Sequence, residues 1–332
     1  MLSRHKTSII IAVAIIALLA AFWCMPSFAF VFFLSILLTL LLLDPVDKLS
    51  TRLPRSVAAI LSLTVFLACF LGLIAVVSSS FVPTLTEFTK ELPRVAAKIK
   101  QMNSWTDSGI FKTGLDEIWN ELTDLTTQTI TSSLGVILSV FNKAIDFIII
   151  MFLTFYLLVD GDKVKKFIAN LFPKNDVRRI GSLMDRILMS LRIYVRSQLA
   201  MCFVTGIIVY LYFTLADLSY GSVFAVASGV SELVPVLGPT IASCSGILMT
   251  AIATPDMAVP TALFYLIMTQ INHNVIYPAI VGKSLNLHPV AIILGIILGG
   301  ELLDAAGMFL AVPCMVVIRH VIEDINEHTH IM

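Results

Sequence analysis

Residues 220–253 read YGSVFAVASGVSELVPVLGPTIASCSGILMTAIA, apolar almost from end to end but cut in the middle by Ser231-Glu232-Leu233-Val234-Pro235-Val236-Leu237-Gly238-Pro239. Two prolines and a glycine within five positions cannot continue a helix, because each proline lacks a backbone donor and its ring clashes with the preceding turn. The chain must open here. An open backbone with a carboxylate between such hydrophobic arms is tolerated only where protein or a water-filled cavity surrounds it. In membrane proteins, unwound segments of this kind are where secondary transporters place substrate and coupling-ion sites.

The same arrangement recurs near the C-terminus. Gly299-Gly300-Glu301-Leu302-Leu303-Asp304-Ala305-Ala306-Gly307 stands between apolar arms at 286–298 and 308–318. Both breaks carry Glu-Leu with a glycine six positions after the glutamate, Glu232 with Gly238 and Glu301 with Gly307. As a sequence repeat this is weak; as a repeated architecture of two apolar arms around an acidic tip it is more persuasive. The span between the breaks, 257–281, holds a polar row, Gln270-Ile271-Asn272-His273-Asn274, followed by Pro278, Gly282 and His288-Pro289.

Each polar group has two readings. Gln270, Asn272 and Asn274 either line a pathway or join helices by hydrogen bonds, a common use of polar residues in membrane bundles. Glu232, and Glu301 with Asp304, lie either at membrane depth, where a carboxylate can carry a proton, or at loop tips in headgroup water beside a base.

Composition agrees that water is not the main solvent. Of 332 residues 58% are hydrophobic and 13% charged, and the mean hydropathy is +0.94; soluble chains carry about 25% charged residues. The formal net charge of zero gives no global field that would recruit nucleic acid. The five cysteines, Cys24, Cys69, Cys202, Cys244 and Cys314, lie singly in apolar stretches, without the spacing of a disulfide framework or a zinc site.

Apolar runs fall at 9–24, 28–43, 57–77, 135–159, 197–216, 220–253, 257–281, 286–300 and 305–322. Several reach the roughly 20 residues that span a bilayer as helix. The first follows Arg4-His5-Lys6 but leads through Pro26 and Ser27 straight into the second, so it reads as a retained membrane hairpin rather than a cleaved signal.

Lysine and arginine set the orientation. They concentrate in 44–56 (Lys48, Arg52, Arg55) and in 160–196, which carries Lys163, Lys165, Lys166, Lys174, Arg178, Arg179, Arg186, Arg192 and Arg196. Both segments, and both termini, are expected in the cytoplasm, and the slightly acidic 80–134 outside. The chain divides into N-terminal membrane helices at 1–79, the external segment at 80–134, a membrane helix at 135–159, the basic amphipathic segment at 160–196, a C-terminal core with the broken hairpins at 197–322 and a tail at 323–332.

Within the external segment, Leu85, Phe88, Leu92, Val95, Ile99 and Met102, and again Phe111, Leu115, Ile118, Leu122 and Leu125, step by three and four, the pattern of two amphipathic helices. Val177, Ile180, Leu183, Met184, Ile187, Leu188 and Leu191 repeat it in the basic segment, which reads as a helix lying along the headgroups.

Enzymatic motifs are lacking. Gly282-Lys283-Ser284 ends like a phosphate-binding loop, but Tyr277 stands where the motif needs glycine. There is no HExxH, GxSxG or metal-spaced cluster, so neither catalysis nor a cofactor is expected.

Phe155-Tyr156-Leu157-Leu158-Val159-Asp160-Gly161, the Glu232-to-Pro239 stretch, Asn274-Val275-Ile276-Tyr277-Pro278-Ala279-Ile280-Val281-Gly282-Lys283-Ser284 with Leu287-His288-Pro289, and Gly299-Gly300 with Gly307 and Ala311-Val312-Pro313 together resemble the signature of the autoinducer-2 exporter family of bacterial membrane proteins. The match runs along nearly the whole chain. It departs at Ser197, where the family usually has glycine in this stretch, and at the extra acid Asp304. Members are associated with export of the quorum-sensing molecule and also with sodium/proton exchange. The resemblance implies homo-oligomerisation, transport and about eight membrane segments, the two broken hairpins among them.

The expected fold is therefore an all-α polytopic membrane protein with two re-entrant or broken helical hairpins plus an external amphipathic helical pair. The expected function is export of a small polar solute, autoinducer-2-like, across the bacterial inner membrane by alternating access. Its partners are membrane lipid, the solute and H+ or Na+, and its pathway is lined by Glu232, Pro235, Gly238, Pro239, Gln270, Asn272, Asn274, Glu301 and Asp304. Pro278, Gly282, His288, Pro289, Gly299, Gly300, Gly307 and Pro313 are expected to shape the backbone. The alternatives are a sodium/proton antiporter and a non-transporting membrane scaffold acting through its amphipathic helices.

Overall fold

The computed structural model describes residues 25–72, 75, 79, 133–234, 237–277 and 287–329. The apolar run at 9–24, the amphipathic pair within 80–132, and Pro235, Pro278 and Gly282 lie outside the described residues. The fold is all-α, with no strand among the described residues. The α-helices among the described residues are, in order, α1 Pro26–Ser50, α2 Arg55–Gly72, α3 Ser133–Asn170, α4 Val177–Leu215, α5 Gly221–Ser231, α6 Leu237–Ala253, α7 Ala258–Ile271 and α8 Pro289–Thr329. Segments Ser27–Ser50, Arg55–Gly72, Val177–Leu215 and Ala306–Glu327 are each long and apolar enough to cross a membrane.

Packed apolar clusters hold these helices together. Val31, Leu38, Leu42 and Val46 of α1 bury against Ala58 and Ala59 of α2 and Ile150 and Leu158 of α3. The neighbouring face of α1, through Phe33, Leu37 and Leu40, packs on Leu191 and Tyr194 of α4 and Leu310, Val312 and Val316 of α8. Further along α4, Val209 and Phe213 meet Phe224 and Ala225 of α5, Met249 of α6, and Tyr265 and Met268 of α7. Buried hydroxyls on α1 bond back to their own helix, Ser35 to the Val31 carbonyl and Thr39 to the Ser35 carbonyl, each at 2.7 Å. A membrane helix satisfies polar side chains in this way where no water is available.

α3 and α4 contain 38 and 39 residues. At 1.5 Å per residue each is roughly 57 Å long, well beyond the roughly 30 Å of hydrocarbon in a bilayer. The basic segment 160–196 is thus the far end of these two helices and the short turn between them. The apolar face read as lying on headgroups is filled by protein instead: Ile180 and Leu183 bury against Ala169 of α3 and Val321 of α8, with Met184, Ile187 and Ile325 alongside. An amphipathic periodicity specifies a covered face without specifying what covers it.

Charges tie the helix ends together here. Arg55 Nε donates to the Leu158 carbonyl at 2.8 Å, Arg192 and Arg196 both engage Asp44, and Lys165 pairs with Asp185. The C-terminal ends of α1, α3 and α8 and the N-terminal ends of α2 and α4 consequently share one basic end of the molecule.

Both expected breaks are present as helical hairpins. α5 stops at Ser231, residues 232–234 turn, and α6 starts at Leu237; the amide of Gly238 donates to the Val234 carbonyl at 3.0 Å. A Cβ at Gly238 would fall 1.8 Å from the Ser231 carbonyl oxygen, so no side chain fits there. α8 is broken at Leu303 and Asp304 into arms at 289–302 and 305–329. The arms run back along each other: a Cβ at Gly295 would touch Met315 and Ala311, and Gly299 and Gly307 meet backbone to backbone, with Cβ-to-carbonyl approaches of 2.3 and 1.9 Å. Residues twenty apart in one straight helix would be separated by roughly 30 Å.

Asp304 forms the tip with φ 52° and ψ −139°, a conformation that suits glycine. Exchanging Asp304 for glycine is expected to raise stability by about 1 kcal/mol, strain relief outweighing the added freedom of the unfolded chain. Thermal unfolding of the purified protein in detergent checks this; a lower melting temperature would show that the carboxylate makes a stabilising contact.

Candidate functional site

Glu232 follows directly on α5, and the closeness of α5 to α4 fixes its position. A Cβ on Gly229 would stand 2.9 Å from the Cys202 carbonyl oxygen and 3.4 Å from Gly206 Cα. Small residues let helix backbones approach like this in membrane bundles. Less than a turn further on, Glu232 meets the face of α4 that carries Gln198 and Thr205, seven residues or two turns apart.

The contacts are specific. Thr205 Oγ1 donates to Glu232 Oε1 at 2.8 Å, and Asn272 Nδ2 donates to the same oxygen at 3.2 Å and to Thr205 Oγ1 at 3.1 Å. Gln198 Nε2 donates to the main-chain carbonyl of Glu232, one of the acceptors that the end of α5 leaves without an intrahelical partner. Thr205, Gln198, Asn272 and Glu232 are 2, 7, 7 and 8% exposed, so α4, the first hairpin and α7 together enclose a polar cluster. Asn272 opens a π-turn, Asn272–Ile276, that continues α7. Such a widened turn often marks a functional position.

Hydroxyl and amide donors orient a carboxylate without neutralising it. A buried carboxylate held in this way can take up and release a proton or a small cation. Among the described residues no three His, Cys, Asp or Glu side chains group as metal ligands.

The other residues singled out in the sequence are distributed differently. Gln270 and Asn274 are exposed and bond to one another, Asn274 Nδ2 donating to Gln270 O at 2.9 Å and to Gln270 Oε1 at 3.1 Å. Of Gln270, Asn272 and Asn274, Asn272 alone is buried with Glu232. Gly238 and Pro239 begin α6, half-buried. Glu301 and Asp304 are exposed at the second hairpin's tip, so the two acidic tips differ in environment. His288 caps α8, its Nδ1 accepting from the Val290 amide at 3.3 Å, and Pro289 is the helix's first residue. Gly300 lies against Met308, and Pro313 is fully buried in the second arm.

Thr205 and Gln198 were not among the residues that the sequence marked as a site. Their signal was available: two polar residues at heptad spacing inside an apolar run must share one helix face and need partners there.

A family model described as AI-2E family transporter matches residues 11–327. "Putative transport protein YrrI" of Bacillus subtilis strain 168 is 28% identical over 312 residues, covering 90% of this chain and 87% of that protein. "Putative transport protein YueF" of the same strain is 25% identical, covering 83% and 78%. "Putative permease PerM" of Escherichia coli K12 is 24% identical, covering 72% and 66%.

Proposed function

Since this chain belongs to the AI-2E family of transporters and is a multi-pass membrane protein, we propose that it is a secondary transporter exporting a small polar solute by alternating access around Glu232. The observation that carries this reading is the enclosed cluster of Glu232, Thr205, Asn272 and Gln198 at the apex of a broken hairpin. α5 has 11 residues and reaches roughly 17 Å, about half the hydrocarbon thickness, which supports a hairpin that enters and leaves by the same face. Glu232 at its apex then lies deep in the bilayer. The second hairpin, with its own apex at Asp304, is the counterpart expected of an inverted pair.

The basic end shared by five helix termini is placed in the cytoplasm of a bacterial inner membrane, and the C-terminus of α8 with it, by the retention of lysine and arginine on that side. The transporter acts as a homo-oligomer on an autoinducer-2-like solute coupled to H+ or Na+. A second reading, sodium/proton exchange, is favoured by the small size of the polar cluster, which suits a cation better than an organic molecule.

One experiment separates them. Proteoliposomes are loaded with the solute, a proton or sodium gradient is imposed, and solute release and internal pH are followed together. Solute release that requires the gradient supports export. A pH response to sodium with no organic solute present supports the antiporter, and no response in either channel removes both.

A further inference from the structure

Between Glu232 and the end of the molecule opposite the basic one, α4, α5 and α7 carry a row of hydroxyls. Ser228 precedes Glu232 by four residues, and Glu232 continues the helical turn at φ −56° and ψ −23°, so the two are neighbours on one face of α5. Ser228 Oγ and Tyr265 Oη of α7 face one another. Thr261 stands four residues before Tyr265 on the same face of α7, and helical side chains lean toward the N-terminus of their helix, which brings the Tyr265 hydroxyl over the turn of Thr261. The row ends where the Tyr212 hydroxyl of α4 is joined to Thr261 Oγ1 at 3.0 Å, less than a turn from the end of α4 at Leu215 and the start of α7 at Ala258.

These hydroxyls are buried at a cost. Ser228, Tyr265 and Thr261 are 3, 5 and 0% exposed, and neither Ser228 Oγ nor Tyr265 Oη meets hydrogen-bond geometry with the other or with another described group. A buried hydroxyl without a partner carries its full desolvation penalty, and alanine and phenylalanine would fill the same space without it. The room for the tyrosine hydroxyl is kept by glycine: a Cβ on Gly246 of α6 would stand 2.7 Å from Tyr265 Oη. Two buried hydroxyls that face one another without bonding are the partners an internal water takes. Hydroxyls and water each accept on a lone pair and donate a hydrogen. When one oxygen of such a row takes up a proton it releases its own hydrogen to the next, so the net result is one proton delivered to the Glu232 carboxylate with every hydroxyl restored.

We propose that this row, bridged by water at Ser228 and Tyr265, conducts a proton between Glu232 and the side of the membrane opposite the basic end. The proposal rests on the transport reading and names the proton as the ion carried at Glu232. Among the described residues, the other ionisable side chains beside the row are Cys202, which neighbours Glu232 from α4, and Tyr212 itself.

The test uses the full-length protein in phosphatidylcholine vesicles. A brief X-ray pulse makes hydroxyl radicals from water, enclosed water included, and mass spectrometry maps the side chains they oxidise. Tyr265 is expected to be oxidised about tenfold faster than Phe213 and Phe224, the factor that one hydrogen bond of ordinary strength to water gives. Those two rings are as deeply buried in the same apolar cluster and stack on one another. Tyr265→Phe should slow gradient-driven flux by about tenfold, again the worth of one such hydrogen bond. Its melting temperature in detergent should stay level or rise, because the hydroxyl removed has no protein partner, and Ser228→Ala should behave alike. A Tyr265 as unreactive as Phe213, wild-type flux in both variants, or a lowered melting temperature, the mark of a hydroxyl that serves packing, would each overturn the proposal. Radiolysis is read without a gradient: a dry Tyr265 in a protein that transports sinks the path alone, whereas a wild-type protein without gradient-driven flux sinks the transport reading and the path with it.

Discussion

Gradient-driven flux through Glu232→Gln protein is expected to fall by roughly a hundredfold, the factor carried by loss of about 3 kcal/mol of interaction with a charged group. Glutamine has nearly the shape of glutamate and keeps an oxygen that accepts from both Thr205 Oγ1 and Asn272 Nδ2. What is lost is the carboxylate, to which the proposed function assigns the coupling proton or cation. Elution and thermal unfolding of the purified variant should stay near wild type, which separates loss of transport from loss of fold. Thr205→Val, which removes one donor and keeps the carboxylate, should cost less, about tenfold. Wild-type flux in the Glu232→Gln protein would remove Glu232 from the pathway.

Asp324→Ala is expected to cost about 3–5 kcal/mol of stability, the range for removing one member of a buried ion pair. Asp324 is 1% exposed and holds two guanidinium groups: Arg179, through Nε at 2.8 Å and Nη2 at 2.7 Å, and Arg186, through Nη2 at 3.0 Å. Arg179 is itself only 12% exposed, so without the carboxylate a cation is stranded between α4 and the end of α8. Thermal unfolding and protease cleavage within 319–329 report the loosened helix end. Arg179→Ala should destabilise in the same way, and the double variant should lose less than the sum of the two, as partners in direct contact do. Additive losses would mean that the pair contributes nothing beyond its separate parts.

The two variants probe different parts of the molecule. Glu232 sits in a polar cluster whose hydrogen bonds survive an isosteric change, so its substitution acts on charge movement. Asp324 sits in a clamp whose removal leaves charges unpaired, so its substitution acts on folding. The ionic clamp lies at the basic end, away from both hairpin tips.

Several features were legible in the sequence for direct physical reasons. Long apolar runs with few charges specify helices in lipid, because only a helix satisfies its own backbone there. The breaks at 231–239 and 299–307 were legible because proline removes donors and glycine marks backbone contact, and both prove to be hairpin tips. That Glu232 would need polar company followed from the cost of a bare carboxylate between apolar arms.

Tertiary structure decided which groups provide that company. Nothing in the chain order indicates that Asn272, rather than Gln270 or Asn274, turns inward, because a shift of two residues on a helix moves a side chain by about 200° and only packing sets the zero of that rotation. Thr205 and Gln198 became partners of Glu232 only because Gly206 and Gly229 let α4 and α5 touch. The same holds for the apolar face of 177–191, whose periodicity required a cover and whose cover includes the end of α8, more than a hundred residues away in sequence. Sequence alone thus determined that this is a helical membrane protein opened at two acidic tips, since those features follow from solvent and backbone chemistry acting locally. Which polar side chains converge on Glu232, and which helix covers the basic segment, depended on contacts between distant parts of the chain.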